Sequence, residues 1–301
     1  MSLLVTGSLG IDTVITPQGR AEDVLGGSAV YFAFAASFFT HVRLVGVVGE
    51  DFPGAMRDVL ASRDIDLRGL EVRAGSRTFR WTGEYSTDMN DRETLDVQLN
   101  VLEEQAPRVP EAFADSEVVF LANTHPALQR TMRDAVHGPR LAVCDTMDLW
   151  INTARDDLLA TLAVVDGVII NDSEARLLTG KSQTIHAGDA LLKTGPRFAV
   201  IKKGEHGAML VTQTGVCAIP SYPTRQVCDP TGAGDSFAGG MIGYLATQQQ
   251  INDETLRRGL VRGTVAASFA IEDFSLRRLQ QIERADIDAR VEEFRRMLRI
   301  D

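Results

Sequence analysis

The chain has 301 residues, 44% of them hydrophobic and 24% charged, with a formal net charge of −10 and ten prolines spread along it. This is the composition of a soluble globular protein, and its acidic balance argues against a nucleic-acid surface and against a basic membrane patch. The length suits two average domains or one large α/β domain with an excursion, and no low-complexity tract or linker marks a boundary.

The opening Met1-Ser2-Leu3-Leu4-Val5-Thr6-Gly7 lacks a basic region and turns to glycine too early for a signal peptide. The longest mostly apolar run, Ser28 to Phe39, is too short to span a bilayer. Cys144, Cys217 and Cys228 are odd in number and have no C-x-x-C spacing, so neither a zinc site nor a disulfide framework is suggested. These features predict a cytoplasmic protein.

Short apolar runs bounded by glycine or acidic residues recur at Leu3 to Thr6, Val42 to Val48, Val118 to Ala122, Leu141 to Cys144, Val164 to Ile170 and Phe198 to Ile201. Each has the length of a buried parallel strand. Helical periodicity follows most of them: Ala29 to Phe39, Ala55 to Ser62, Ala127 to Ala135, Asn152 to Leu162, Ser173 to Thr179, Ala187 to Lys193, Thr231 to Ala246, Glu254 to Ile271 and Ile287 to Leu298. The alternation predicts an open, mostly parallel sheet with helices on both faces and ligands at the carboxyl ends of its strands. Two stretches break the rhythm. Asp12 to Thr16 and Thr78 to Tyr85 alternate apolar and polar residues, which predicts a small separate sheet serving as a lid over a cleft or as a dimer contact. From Glu272 onward, charged residues alternate with Leu276, Leu279, Ile282, Val291, Phe294 and Leu298 as on a solvated amphipathic helix.

The chemistry concentrates in Asp229-Pro230-Thr231-Gly232-Ala233-Gly234-Asp235-Ser236-Phe237-Ala238-Gly239-Gly240. Gly232 and Gly234 let amides converge before a helix, where unpaired N–H groups and the helix dipole favour an anion. Asp235 would repel that anion unless it faces a hydroxyl and takes its proton, an arrangement suited to phosphoryl transfer. A P-loop needs Lys and then Ser or Thr after its last glycine, and a dinucleotide fingerprint needs glycine where Phe237 stands, so both fail. A serine nucleophile at Ser236 lacks support, because His41, His125, His137, His186 and His206 all precede it.

With these residues in view, the chain resembles the ribokinase or PfkB family of carbohydrate and nucleoside kinases. The resemblance extends to Val5-Thr6-Gly7-Ser8-Leu9-Gly10-Ile11-Asp12, Gly26-Gly27-Ser28-Ala29, Val45-Gly46-Val47-Val48-Gly49-Glu50-Asp51-Phe52-Pro53-Gly54, Asn171-Asp172-Ser173-Glu174 and Ile201-Lys202-Lys203-Gly204-Glu205-His206-Gly207. It covers roughly residues 3 to 275 and implies one ribokinase-like three-layer α/β/α domain over residues 1–301, with a lid from about 11–25 and 72–100.

The resemblance also implies roles. Asp235 would be the general base, with amides around Gly232, Ala233 and Gly234 as the anion hole. Asn171 and Glu174 would hold Mg²⁺ through its waters, although an ordinary helix cap explains the same pair. Lys202, Gly204, Gly207, Thr231 and Thr264 would face ATP, and Asp229 would bind K⁺ or serve as a buried structural carboxylate. Asp12, Gly26, Gly27, Ser28, Tyr31 and Asn123 would line the pocket for a sugar, polyol or nucleoside. Asp145-Thr146-Met147-Asp148 and His125 offer further polar groups to the same cleft.

Two positions depart from the family. Tyr31 stands where many sugar kinases carry an asparagine, either to stack on a ring of the substrate or to pack with Phe32, Phe34, Phe38 and Phe39. Near Thr264 the adenine-side asparagine is missing. The expected activity is ATP-dependent phosphorylation of an alcohol, with a homodimer through the lid as a further expectation. The rivals are a silent sugar or nucleotide sensor on the same fold and a nucleotide-binding subunit of a larger assembly.

Overall fold

Four- and five-residue runs made of Leu, Val, Ile, Ala and Phe cannot leave either face in water, so they stack side by side between layers of helix. In the computed structural model, which describes residues 2–299, the chain opens with β1 (Leu3–Thr6), then β2 (Gly10–Thr16), β3 (Gly19–Gly26), α1 (Ser28–Ala36), β4 (Val42–Gly49), α2 (Gly54–Ala61), β5 (Ile65–Arg73), β6 (Phe79–Tyr85) and β7 (Arg92–Gln98). It continues with β8 (Val118–Leu121), α3 (Pro126–Asp134), β9 (Leu141–Cys144), α4 (Asp148–Thr153), α5 (Arg155–Leu162), β10 (Gly167–Asn171), α6 (Asp172–Thr179), α7 (Thr184–Leu192) and β11 (Phe198–Lys202). It closes with β12 (Ala208–Thr212), β13 (Gly215–Ile219), α8 (Ala233–Ala246), α9 (Asp253–Ala270), α10 (Arg277–Gln280) and α11 (Arg284–Met297).

Nine of these strands form one sheet in the order β13-β12-β11-β10-β9-β8-β1-β4-β5, parallel throughout except that β12 runs against both its neighbours. Chain order leads from β1 outward to β4 and β5, then returns to the other side of β1 through β8. The switch point between β1 and β8 is the crevice where such sheets hold ligands. One core lies between the sheet and α1, α8 and α9, and a second between the sheet and α3, α5, α6 and α7. Leu276, Leu279 and Ile282, read from sequence as one side of a solvated helix, are buried in the first of these cores.

Helix α8 is buried from Ser236 to Ala246. Its glycines allow this: a Cβ on Gly239 would lie 2.3 Å from the Phe32 carbonyl oxygen, and one on Gly243 would lie 2.8 Å from the Ala36 Cα. Backbones of α1 and α8 therefore touch. The predicted helix over Asn152 to Leu162 is two helices, because Ala154 leaves helical geometry at φ −137°, ψ 39°.

The smaller sheet has the order β3-β2-β6-β7. Its pairs are antiparallel except β2 with β6, which runs parallel. Strand β2 carries an irregularity between Asp12 and Val14, a device that re-aims a side chain next to a site. The sheet has its own small cluster of Val14, Ala21 and Phe274, with Val24, Trp81, Tyr85 and Cys228 packed against it. No helix among the described residues is long and apolar enough to cross a membrane.

Candidate active site

The glycine-rich segment folds as a tight turn into α8. Gly232 caps the helix in the left-handed region at φ 72°, ψ 4°, and a Cβ there would fall 2.2 Å from Cγ of Tyr31. Only glycine satisfies both demands. The Ala233 amide, expected to share the anion hole, turns back onto the Pro230 carbonyl at 3.1 Å, which leaves the Gly232 and Gly234 amides as the candidates for that role. Lys202, at the end of β11, reaches across: its Nζ lies 2.6 Å from where a Gly234 Cβ would stand.

Asp235 follows in the first turn of α8. Burial raises its carboxyl above the ordinary range, while the charges of Lys202 and Arg92 pull it back down. Asp229 is fully buried and accepts the Thr231 amide at 2.8 Å on one oxygen and the Ser275 amide at 3.2 Å on the other. It is thus a strut of the loop, and burial pushes its carboxyl up despite those bonds. Ser236 is fully buried, which removes it as a surface nucleophile.

A cleft of about 430 Å³ opens on the other side of Lys202 and Gly234. Lys202, Gly204, Gly207, Ala233, Phe237 and Thr264 line it, together with Tyr222, Thr224 and Ser268. Gly204 and Gly207 turn the chain at φ 54° and 88°. A hydroxyl-rich, mostly apolar cleft beside a helix N-terminus and a lysine suits a nucleotide, base inward and phosphates toward α8.

Asn171 and Glu174 form a reciprocal helix cap. The Asn171 side chain accepts the Glu174 amide at 2.8 Å, and a Glu174 oxygen accepts the Asn171 amide at 2.8 Å. Among the described residues no group of three acidic, His or Cys side chains stands together to hold a metal directly. One Glu174 oxygen lies outside the cap, so the donor set fits Mg²⁺ bound through its own waters. Burial raises the Glu174 carboxyl, opposed by Lys202.

The residues expected on the acceptor side lie at the switch point. Asp12 is 4% exposed, and its Oδ1 has no hydrogen-bond partner. Burial first, then the charges of Asp229 and Asp235, push its carboxyl up to about 7, against the pull of Arg92. A Cβ on Gly26 would sit 1.8 Å from Asp12 Oδ2, so this glycine makes room for the carboxylate itself. Gly27, at φ 104°, caps α1 against the Ser8 carbonyl.

Three expected contacts are committed elsewhere. The Ser28 hydroxyl exchanges hydrogen bonds with Ser8 and donates to the Asn123 carbonyl at 3.4 Å. The Asn123 side chain accepts from Trp150 Nε1 at 2.9 Å and donates to Met147 Sδ at 3.1 Å. Tyr31 is 1% exposed with its ring under Gly232, so packing is the reading its position favours over stacking on a substrate. His125 caps α3 through Nδ1, with its ring edge-on to Trp150 at 5.1 Å.

Asp145, one of the polar groups expected at this cleft, and two lid residues stand close by. Buried Asp145 at the end of β9 has its carboxyl raised by burial and by Asp235, with Lys202 opposing. Tyr85 and Arg92 come from the lid, where polar alternation predicts a sheet but not which of its side chains face the cleft. The neighbouring cross-strand match of Tyr85 with Arg92 is invisible without the register.

An α/β sheet with a glycine-rich helix start, an acid beside it and a lysine over it defines a phosphotransferase with an alcohol acceptor. The sequence pattern of the pfkB family carbohydrate kinases matches residues 4–281, and the chain belongs to that family. It is 29% identical to a cytidine kinase of Thermococcus kodakarensis over 267 residues, 87% of this chain and 94% of that one. The fold resembles Burkholderia thailandensis nucleoside kinase solved with inosine, at TM-score 0.80 and 20% identity over 97% and 98% of the two chains. It also resembles a Vibrio cholerae fructokinase variant solved with fructose, ADP and potassium, at TM-score 0.76 and 19% identity over 96% and 97%.

Proposed function

We propose that the protein transfers the γ-phosphoryl group of ATP to a hydroxyl of a nucleoside or small sugar, with Asp235 as general base. The observation that carries this reading is the Lys202 ammonium reaching over Gly234, close enough to the buried Asp235 to hold its carboxyl down. The acceptor hydroxyl, oriented through Asp12, bonds to the γ-phosphorus as the bond to the bridging oxygen breaks. ADP leaves and the hydroxyl proton passes to Asp235. The transition state is loose and the proton moves late, so positioning matters more than basicity. Lys202 and the two amides take the charge that develops on the phosphoryl oxygens. Glu174, its carboxylate fixed by the Asn171 amide, would hold Mg²⁺ through water, and the ion would neutralise charge on the nucleotide. Potassium beside Asp229 is an extension of this reading.

ADP release with Mg-ATP across cytidine, inosine, adenosine, ribose, fructose and inositol, in parallel on Asp235→Asn, tests it. Turnover of one acceptor that vanishes in the variant supports the kinase and names its substrate class. ATP binding without turnover on any acceptor favours the silent sensor. Edge strand β7 leaves Leu95 and Val97 about half exposed and is where a second copy would pair; sedimentation at rising concentration tests that contact.

A further inference from the structure

The lid touches the catalytic loop at a defined point. The Thr231 hydroxyl donates to the phenol oxygen of Tyr85, the last residue of β6, at 3.1 Å. Thr231 directly precedes Gly232, and its own amide is tied to Asp229. The segment that presents the Gly232 and Gly234 amides is thus held beneath by the Tyr31 ring, behind by Asp229 and from the lid by Tyr85. Arg92 on β7 pairs across the strands with Tyr85, and its guanidinium lies 5.2 Å from the centre of the Trp81 ring. Trp81 in turn is the cross-strand partner of Asp12. At its tip the same hairpin meets the nucleotide side, where Asn90 donates to Glu205 at 3.3 Å.

We infer that Tyr85 is a positioning residue of the anion hole: its phenol oxygen fixes Thr231, and through it the Gly232 and Gly234 amides. This inference rests on the phosphotransfer reading above. An anion hole works by holding its donors in place before charge develops, so that no reorganisation is needed at the moment of reaction. Gly232 is the least restrained residue type at the most demanding backbone position, so a hydrogen bond on its neighbour limits its motion. Burial raises the Tyr85 phenol, keeping it neutral and able to accept from Thr231. The competing account is that Tyr85 only fills the lid cluster with Val14, Phe274 and Trp81. Tyr85→Phe separates the two, because it keeps the ring and removes the oxygen.

The decisive experiment combines kinetics with hydrogen exchange on the full-length protein. Tyr85→Phe and Thr231→Val should each lower kcat about tenfold, roughly what one hydrogen bond is worth, with KM for ATP nearly unchanged. The double variant should be no worse than either alone, the signature of a shared interaction. Amide exchange in a peptide covering residues 229–237 should quicken in Tyr85→Phe while that of the lid strands stays as in the wild type. Wild-type kcat and exchange in Tyr85→Phe, or losses that multiply in the double variant, overturn the inference. If the wild-type protein turns over no acceptor, the phosphotransfer reading fails, and the exchange comparison still decides whether Tyr85 holds the loop.

Discussion

The two halves of the cleft are built on opposite plans. The nucleotide side is an open space of about 430 Å³ walled by small, apolar and hydroxyl-bearing residues around one lysine. The acceptor side is tight and crowded with carboxylates: Asp12, Asp229 and Asp235 raise one another or are raised by burial, and Ser28 and Asn123 are already committed to internal bonds. On the proposed function, the difference would place selectivity on the acceptor side. A roomy, hydroxyl-lined pocket discriminates weakly among its ligands, whereas a pocket with a buried carboxylate lacking a partner penalises any ligand that fails to complete it.

Removing the group that joins the halves should have the largest effect. Asp235→Asn is expected to lower kcat by about two to four orders of magnitude, the usual worth of a general base, while titration calorimetry shows nucleotide affinity nearly intact. Lys202→Met should follow at about a hundredfold, comparable with loss of one preorganised donor to a developing oxyanion. It carries a second signature. Lys202 holds the Asp235 carboxyl down, and a base works only when ionised, so the acid limb of the kcat profile should move to higher pH in this variant. An unmoved limb would separate Lys202 from Asp235.

Gly232→Ala sets a methyl into the Tyr31 ring at a left-handed backbone position and should cost about 1–3 kcal/mol of stability from the backbone alone, before the clash is added. Thermal unfolding would show it. Asp12→Asn sharpens the acceptor half. The folded Asp12 binds its proton up to about pH 7 whereas the unfolded chain releases it near 3.8, so this group destabilises the wild type progressively as pH rises between those values. The variant's Tm advantage should therefore grow from pH 4 to pH 7, while its acceptor KM rises. An advantage independent of pH would mean that Asp12 is not desolvated. Tyr31→Phe should do least: acceptor preference unchanged and stability within about 1 kcal/mol of the wild type, since the buried hydroxyl gives up no more than a weak contact with Ser275.

Much of this was legible in the sequence. The helix-start motif at 229–240 and the Gly26-Gly27 pair could be read because glycine is required for steric reasons that few alternatives satisfy. Strands β1, β4, β8, β9, β10 and β11 of the main sheet showed as apolar runs because both faces are buried, whereas β5 and β13, partly open to solvent, did not. For Tyr31 the sequence left stacking on a substrate and packing both open, because α1 is buried on every side and a helix without a polar face gives no sign of which flank meets the cleft. Strand β7, exposed along its length, has no hydrophobic face to betray it, so Arg92 had no predicted place. Asn171 and Glu174 were read as a metal-side motif with an ordinary helix cap as the alternative, and the structure displays the cap.

The seam of glycines along α8 puts a distant control on the rate. Gly239 and Gly243 set how far this helix sits along α1, and its first residues present Gly234 and Asp235. On the proposed function the helix would act as a piston whose stroke is fixed about one and two turns beyond Asp235. A misplacement of about 1 Å costs up to a hundredfold in rate, so one added methyl at the seam can slow the enzyme without touching either ligand. A search for tuned variants has as much reason to start at that buried contact as in the pocket.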